Sequence, residues 1–490
     1  MNTDISCIKM KLSNTLTGSK SLLKLVHDKG VIGIYVCGVT PYDSAHVGHA
    51  MSLMVYDVLI RYLRWRDYEV NFVSNYTDVD DKLIDKAREL SLEPLELADR
   101  NIQEWEEEQK ALGLLVPDVR PRVTQEIESI IEMIKEIIGH GLAYSTGNGD
   151  VYYRVRSNSD YGKLSHRRID DLRSGSRSEM DTTKEDPLDF ALWKAAKPSE
   201  PSWDSPWGTG RPGWHIECSA MARRYLGERF EIHGGGLDLI FPHHENEIAQ
   251  AEGAADKPNV FAQIWMHNGM VQRDGEKMSK SVGNVVTVQQ ALDQWSGDAI
   301  RLFVLSSHYR SGRNLTDDAM HAAVLGAERL GNAVSLRNRG AAKSEIDCAL
   351  VVERFTAAMD DDLSTPQAVA VLFDLVKEIN RKYDQGLDVS AAQLLLKELS
   401  CTVLGFSLEN ESNSGVEVSL VQLQELVDDL GLSIKVSSVD QAIGALVEYR
   451  EFTRKDKNFA LADSIRDKLS ELRIVLDDTA DGTTWTTLSH

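Results

Sequence analysis

Cysteine is scarce in this sequence: five cysteines occur in 490 residues, and no two of them form a CxxC pair. An odd number of scattered cysteines argues against a disulfide framework and favours a reducing compartment, so we expect the cytoplasm. Long apolar stretches are also missing, since no run of 18 apolar residues occurs. The N-terminal segment lacks the apolar core of a signal peptide. We therefore expect neither a membrane-spanning helix nor secretion.

Positive charge is in deficit as well. The chain has 54 Lys and Arg against 76 Asp and Glu, a formal net charge of −22. This balance excludes a wholly basic nucleic-acid binder, although local basic patches remain compatible with it. The content of 42% apolar and 27% charged residues is typical of a globular protein. The length predicts roughly three domains with ample core.

The N-terminal third has the pattern of a parallel α/β sheet. Residues 31–38 read as a buried strand, residues 47–68 carry apolar side chains at helical spacing, and residues 69–82 read as a second strand that runs into a polar loop. In such sheets ligands bind at the carboxyl ends of the strands. Cys37 and residues 75–78 both fall at that edge.

The segment 232–247 is the densest in potential ligands, because it combines three glycines with several His, Asp and Glu residues. Proline is favoured at a first helical position, so Pro242 predicts a helix start. A helix from there places His243 and Glu247 four residues apart on one face. That spacing lets one helical face offer two ligands to a metal ion.

Two cysteines could complete such a site. Cys37 and Cys218 lie beside other chemically active residues, and together with His243 and Glu247 they form a mixed sulfur, nitrogen and oxygen set typical of zinc. The alternative is that the two cysteines are small apolar core residues.

Two further patterns indicate phosphate chemistry. His46 and His49 flank Gly48 at a predicted helix start, where the helix dipole and imidazole donors favour a phosphoryl group. Lys277 and Lys280 lie on a glycine-flanked loop and could neutralise charge on transferred phosphates. The alternatives are capping or surface histidines and a solvated lysine pair.

These motifs together resemble a known family. Residues 46–49, HVGH, resemble the first signature of class I aminoacyl-tRNA synthetases, and residues 277–281 match the second, KMSKS. Residues 35–38, 211–221 and 232–247 look like the cysteinyl-tRNA synthetase family, and the resemblance covers nearly the whole chain. It implies a Rossmann-type parallel sheet split by a connective insertion, then an all-α helical bundle and a small C-terminal anticodon-binding module.

The resemblance also implies a domain order. We predict the first half of the catalytic domain at residues 1–125, a connective insertion at 126–205 and the second half with the KMSKS loop at 206–290. We then predict linking helices that contact the tRNA stem at 291–330, an anticodon-stem-binding bundle at 331–415 and an anticodon-recognition module at 416–490. Within the insertion, residues 149–157 and 161–168 predict a hairpin and residues 172–187 a flexible loop. Residues 408–418 predict a linker.

The implied reaction is the ATP-dependent activation of L-cysteine to cysteinyl-adenylate, followed by transfer to the 3′-end of tRNA(Cys). The resemblance implies one Zn²⁺ held by Cys37, Cys218, His243 and Glu247, and ATP with Mg²⁺. It assigns catalysis to His46, His49, Lys277 and Lys280. It adds ATP contacts from Gly48, Gly236, Asp238, Met266, His267, Val271, Met278 and Ser279. It implies cysteine contacts from Cys37, Gly38, Thr77, Trp214 and His233, with Tyr42 and Asp43 as weaker candidates.

The C-terminal residues carry the predicted tRNA contacts. Arg454, Asp463 and Asp478 match positions at which the family reads the anticodon, and Phe459 stands where many members have a stacking tryptophan. An aromatic side chain can stack on an unpaired base. A place in the helix core is the alternative for Phe459. We expect tRNA(Cys), L-cysteine and ATP as partners, no membrane association, and a monomer.

Three rival interpretations remain open at this stage. An ATP-dependent ligase that joins cysteine to an amino sugar would share the zinc pocket and both signatures but lack a full anticodon-binding region. A catalytically silent paralogue would have lost a signature or a zinc ligand. A structural zinc protein would leave the glycine-rich and lysine loops unexplained.

Overall fold

The computed structural model of the protein describes most of the chain. The described residues are 7–26, 30–169, 183–257, 260–273, 275–278, 283–337, 342–408, 420–432, 438–472, 474–479 and 482–487. The chain divides into two compact units, Met1–Leu408 and Glu409–His490. The predicted linker lies almost entirely outside the described residues, as does most of the predicted loop 172–187.

The described strands are β1 (Cys7–Asn14), β2 (Ser19–Lys24), β3 (Val31–Val36), β4 (Glu69–Ser74), β5 (Ala143–Ser145), β6 (Val151–Tyr153), β7 (Phe190–Ala195), β8 (Gly210–Pro212), β9 (Phe230–Gly236), β10 (Ala262–Asn268), β11 (Val271–Arg273), β12 (Glu276–Lys277), β13 (Arg313–Leu315), β14 (Ile474–Thr479) and β15 (Gly482–Thr487).

The described α-helices are α1 (Val47–Trp65), α2 (Asp81–Leu90), α3 (Pro94–Ala111), α4 (Ile127–Gly139), α5 (Trp214–Leu226), α6 (Glu245–Ala254), α7 (Val288–Leu292), α8 (Gly297–Leu305), α9 (Asp317–Ser335), α10 (Cys348–Asp360), α11 (Thr365–Asp384), α12 (Ser390–Lys397), α13 (Leu420–Asp429), α14 (Val439–Lys455) and α15 (Phe459–Glu471).

A four-stranded parallel sheet is the centre of the first unit, with strand order β10-β9-β3-β4. Helices cover both faces, so its strands are apolar on both sides. In β3, Ile32 and Ile34 join the core cluster that contains α1, whereas Tyr35 joins the cluster that contains α4, α5 and α6. The predicted parallel α/β sheet is confirmed.

Helix α1 connects β3 to β4 and begins directly after the HVGH histidine His46. His46 is the N-cap, and its side chain accepts a hydrogen bond from the backbone N–H of Gly48. The helix ends at Trp65, earlier than the predicted residue 68, and Asp67 turns the chain with φ of 62° before β4.

The segment before α6 differs from the prediction. Residues Ile240–His244 form a π-helical turn with an extended Phe241 inside it, and α6 begins at Glu245 rather than at Pro242. Helical backbone at His244 and Glu245 nevertheless keeps His243 and Glu247 together, since their side chains form an ion pair at 3.0 Å. The shared face was therefore predicted correctly.

The insertion contains a four-stranded antiparallel sheet of order β5-β6-β7-β8. Its hairpin joins β5 to β6, with Ala143 opposite Tyr153. The predicted hairpin between residues 149–157 and 161–168 is therefore wrong in its second strand, because residues 161–166 form turns. Strand β8 lies beyond residue 205, where we predict the insertion to end.

A bundle of helices α9 to α12 follows, as predicted. Its buried side chains, among them Phe355, Leu372 and Leu396, belong to the same core cluster as the α1 face of the sheet. Asp362 joins this bundle to the sheet region, because its carboxylate accepts hydrogen bonds from the backbone N–H of Ser13 at 2.6 Å and the Tyr309 hydroxyl at 2.7 Å.

The second unit contains α13, α14 and α15 and the antiparallel hairpin β14–β15. It has a hydrophobic cluster of its own, built from residues of all three helices, such as Leu426, Leu446 and Ile465, with Ile474 of β14. The predicted C-terminal module therefore contains a hydrophobic core of its own.

Candidate active site

A cavity of about 400 Å³ opens at the carboxyl ends of the parallel strands. Its wall includes Cys37 and Gly38 after β3, Asn75 after β4, Gly236 at the end of β9 and Asn268 at the end of β10. Because parallel strands end at the same edge, residues distant in sequence meet here.

Four potential metal ligands meet at one side of this cavity. One donor atom each from Cys37, Cys218, His243 and Glu247 lies within 4.8 Å of the other three. The Cys37 thiol donates to Glu247 Oε1 at 3.3 Å, and His243 Nε2 lies 3.0 Å from the same oxygen. Tetrahedral zinc with bonds of about 2.0–2.3 Å separates its ligands by roughly 3.3–3.8 Å, so this donor set fits zinc.

A second set of side chains shares two of these ligands. His233 and His244, with Cys37 and Glu247, also have donor atoms within 4.8 Å of one another. Both of these histidines are fully buried and lie behind the cavity, whereas Cys218 and His243 line it. A substrate that enters the cavity can therefore reach a metal held by the first set.

Burial and neighbouring groups set the charges in this cluster. Burial raises the pKa of the Cys37 thiol well above its ordinary value, and Cys218 adds to this rise. The hydrogen bond from Cys37 lowers the pKa of Cys218 to about 6. Burial opposes ionisation of Glu247, but His233 and His243 hold its pKa well below the usual range. Anionic Cys218 and Glu247 are the forms that bind a cation.

The remaining predicted cysteine contacts surround the same cluster. The Trp214 ring packs on His243 with centroids 4.4 Å apart, and both line the cavity with Thr77. His233 does not line the cavity but supports Cys37 from behind at 3.5 Å. Of the two weaker candidates, Tyr42 lines the cavity, whereas Asp43 is exposed elsewhere.

The HVGH histidines form a stacked pair in the cavity wall, with ring centroids 3.8 Å apart. His46 Nδ1 accepts from the Gly48 N–H, and His49 Nδ1 accepts from the His46 N–H, both at 3.1 Å. A neutral imidazole that accepts at Nδ1 carries its proton on Nε2. Both rings are therefore in the tautomer that donates from Nε2.

Gly48 is required by this arrangement. A Cβ at this position would lie 2.9 Å from Nδ1 and Cε1 of His46. A side chain there would push the capping ring away from the helix N-terminus.

The predicted ATP contacts divide into three groups. Gly236, Asp238, Val271 and Met278 line the cavity together with the HVGH residues. Met266 and His267 do not: Met266 is fully buried in the core, and the His267 ring is held by Thr15 at 2.7 Å and His244 at 2.8 Å. Strand β12 includes the backbone of Lys277, and Ser279 and Lys280 lie outside the described residues.

Three residues of the site, Asn75, His215 and His244, were not predicted individually. The Asn75 amide oxygen accepts from the Gly38 N–H at 3.0 Å and from the Tyr35 hydroxyl at 3.1 Å. His215 Nδ1 lies 2.9 Å from His243 Nδ1, and His244 Nε2 lies 3.3 Å from Cys37 Sγ. Second-layer partners of this kind orient metal ligands. Each of these residues lies close in sequence to a residue predicted for the site. Closeness in sequence does not show where a side chain points.

The predicted tRNA contacts all lie in the second unit. Arg454 lies in the last turn of α14, Asp463 is exposed on α15, and Asp478 is in β14 opposite Thr483. Phe459 begins α15 and is 59% exposed. The alternative of a helix-core role for Phe459 is therefore wrong, and its role in RNA binding stays a prediction.

The chain and its fold are similar to known proteins. Residues 23–325 match the family described as tRNA synthetases class I (C) catalytic domain, and residues 354–409 match the DALR domain. The fold is similar to Mycobacterium tuberculosis methionyl-tRNA synthetase in complex with methionyl-adenylate, with a TM-score of 0.55 at 16% identity, over 76% of this chain and 88% of that chain. It is also similar to Agrobacterium radiobacter K84 LeuRS in a ternary complex with tRNA and LeuAMS, with a TM-score of 0.58 at 11% identity, over 80% and 86% of the two chains. The fold and the cavity define a class I aminoacyl-tRNA synthetase.

Curated relatives narrow this class. The chain is 48% identical to the cysteine–tRNA ligase of Halorhodospira halophila, over 97% of this chain and 99% of the relative. It is 44% identical to the cysteine–tRNA ligase of Coxiella burnetii strain Dugway 5J108-111 over the same shares. The chain belongs to the cysteine–tRNA ligase family, which confirms the predicted family and enzyme class. The amino-sugar ligase alternative is not favoured, since the match extends over almost the full length of these tRNA ligases.

One prediction concerns membranes. Among the helices that the structure describes, none combines the length and the apolar character needed to cross a bilayer.

Proposed function

We propose that this cavity activates L-cysteine with ATP and passes the cysteinyl group to the 3′-end of tRNA(Cys). The carboxylate oxygen of cysteine attacks the α-phosphorus of ATP, pyrophosphate leaves, and a ribose hydroxyl of the tRNA then displaces AMP from the carbonyl carbon. The observation that carries the proposal is that three members of the four-ligand cluster, Cys37, Cys218 and His243, line one cavity with the HVGH pair. A thiol-binding group and a phosphate-binding group are thereby placed within reach of one small substrate.

We assign the thiol end of the substrate to the cluster of Cys37, Cys218, His243 and Glu247. The donor set and its spacing fit Zn²⁺. When bound there, zinc supplies a ligand position that prefers a thiolate to a hydroxyl. An apolar pocket discriminates between near-isosteres such as cysteine and serine by only about 10–200-fold. The preference of zinc for a thiolate is therefore a reason for the metal. Trp214, whose ring packs against His243, limits the space beside the thiol.

We assign the phosphate end to His46 and His49. Donors from Nε2 of both rings suit oxygens on which negative charge develops during adenylate formation. The hydrogen bonds at Nδ1 fix the ring orientations before ATP arrives, so no reorganisation is needed at the moment of reaction. Lys277 and Lys280 would close over the pyrophosphate, with Ser279 between them and Mg²⁺ accompanying ATP.

We place the adenosine against Gly236, Asp238, Val271 and Met278, since all four line the cavity. The Asp238 carboxylate suits a ribose hydroxyl donor. Met266 and His267 would act through the shape of β10 rather than by direct contact, because both are buried.

The predicted domain order and the monomeric state belong to the same proposal. We also propose a cytoplasmic location, because the thiols of Cys37 and Cys218 must stay reduced to bind a metal. The contacts of Arg454, Phe459, Asp463 and Asp478 with the anticodon are proposed from the resemblance.

Pyrophosphate exchange tests the activation step. Purified protein is assayed with cysteine and with serine, and zinc content is measured, for the wild type and for Cys37→Ala. We expect exchange with cysteine but not with serine, and loss of both exchange and zinc in Cys37→Ala. Cys401→Ala is the matched control, because Cys401 is a free cysteine of the helical bundle. Absence of cysteine-dependent exchange in the folded, zinc-loaded wild type would contradict the proposal, and charging of tRNA(Cys) tests the second step.

A further inference from the structure

The corner between α14 and α15 exposes two phenylalanines. Phe452 is 63% exposed and Phe459 is 59% exposed, whereas every other phenylalanine in the chain is buried or half-buried. Water contact with a large apolar ring is unfavourable, so such exposure points to a surface used in binding. Phe459 was singled out in the sequence, but Phe452 was not.

The Phe452 ring lies parallel to an aromatic ring of its own helix. The ring of Tyr449, one turn earlier in α14, stacks on Phe452 with an interplanar angle of 12° and centroids 6.4 Å apart. Tyr449 itself packs against the hydrophobic cluster of the second unit. The exposed ring therefore has an aromatic neighbour that packs against the core of its unit.

Positive charge is concentrated between the two exposed rings. Arg454, Lys455 and Lys457 are exposed there, together with a single carboxylate, Asp456. This segment is locally basic in a chain whose formal net charge is −22. Cations beside aromatic rings match the chemistry of unpaired nucleotides, which offer phosphates and flat bases to be stacked.

We propose that Phe452 is a second base-stacking platform, which binds an unpaired nucleotide of the tRNA beside the anticodon contacts proposed above for Arg454 and Phe459. Tyr449 is a positioning residue, because it acts through the Phe452 ring. The inference rests on the proposed function for the identity of the RNA. It adds a contact residue to that function and explains why a large apolar side chain is tolerated at this exposed position.

Steady-state charging of tRNA(Cys) and cysteine-dependent pyrophosphate exchange, measured on the full-length protein, test this role. Removal of one stacked base contact costs affinity by about 5- to 150-fold. We expect Phe452→Ala to raise the KM for tRNA within that range and to leave exchange unchanged, because exchange does not need tRNA. Phe452→Trp should keep a low KM, since tryptophan also stacks. Val421→Ala is the control, as Val421 is 67% exposed on α13 of the same unit.

Three results would overturn the role of Phe452. A KM for tRNA within about twofold of the wild type in Phe452→Ala would exclude a stacking contact. Equal weakening by the alanine and tryptophan variants would exclude recognition through the aromatic face. A fall in exchange or in Tm for Phe452→Ala would assign Phe452 to protein packing. Loss of exchange in the wild type counts against the proposed function instead, so the two failures are distinguishable.

Discussion

Gly38 is the position where the smallest substitution should most disturb the site. It follows Cys37, a proposed zinc ligand, and its N–H donates to the Asn75 side chain at 3.0 Å. A Cβ at residue 38 would lie 1.6 Å from the backbone carbonyl oxygen of Asn75. Close carbon–oxygen contacts are about 3.3 Å, so Gly38→Ala must separate the ends of β3 and β4 by roughly 1.7 Å. Both ends carry cavity residues.

The magnitude of the effect follows from this displacement. A misplacement of about 1 Å in an active site can lower the rate about 100-fold. We therefore expect Gly38→Ala to lower kcat/KM for cysteine-dependent pyrophosphate exchange by at least about 100-fold, with reduced zinc content. Overpacking of this kind costs about 1–3 kcal/mol of stability. That cost is smaller than the stability of an ordinary domain, so the variant should remain folded.

Exchange kinetics, zinc content and thermal unfolding should be measured on the same preparations. Gly139→Ala is the matched control, because Gly139 ends α4 and a Cβ there would meet nothing within 4 Å. The control should keep wild-type exchange. If Gly38→Ala retains kcat/KM within about threefold of the wild type, the two strand ends can move apart without moving Cys37, and the reasoning is refuted.

Two further predictions concern buried charge. Burial, together with the charge of Glu104, raises the pKa of the Glu108 carboxyl in the folded protein to about 7. The protonated carboxyl therefore contributes fully to stability below the unfolded pKa near 4.5, and this contribution is lost as the pH rises through 7. The free energy of unfolding in urea should fall by roughly 2 kcal/mol between pH 5 and pH 8 in the wild type but not in Glu108→Gln, and the same fall in both proteins would contradict this reasoning. The Asp57 carboxylate accepts from the fully buried Arg301 at 2.6 Å, so Asp57→Ala should cost about 3–5 kcal/mol in unfolding experiments. Asp361→Ala, at an exposed ion pair, should cost less than about 1 kcal/mol, and similar losses in the two variants would contradict the argument.

Much of the catalytic region could be predicted because its signals are local. Apolar runs and helical spacing predicted β3, α1 and β4, and the carboxyl-edge rule then placed Cys37 beside residues 75–78. The ligand pair His243 and Glu247 also depended only on helical spacing, so it survived the shift of the helix start from Pro242 to Glu245. Family resemblance supplied the remaining assignments.

Predictions failed or fell short where the answer depends on distant contacts. Residues 161–166 lack a strand because β6 pairs with β5 and β7, and local composition does not specify which segments pair. Met266 and His267 are predicted ATP contacts, yet both are buried in β10. The sheet is covered on both faces, so the strand pattern does not separate inside from outside.

The sequence by itself determined the family, the parallel sheet, the order of its motifs and the zinc-type donor set, because these depend on residue identity and short-range periodicity. Only the tertiary structure decided that Cys218 and His243 face the cavity while His233 and His244 lie behind it. It also decided that Phe452 is exposed rather than packed. Orientation and exposure depend on the packing of elements far apart in the chain, and no local pattern of residues encodes them.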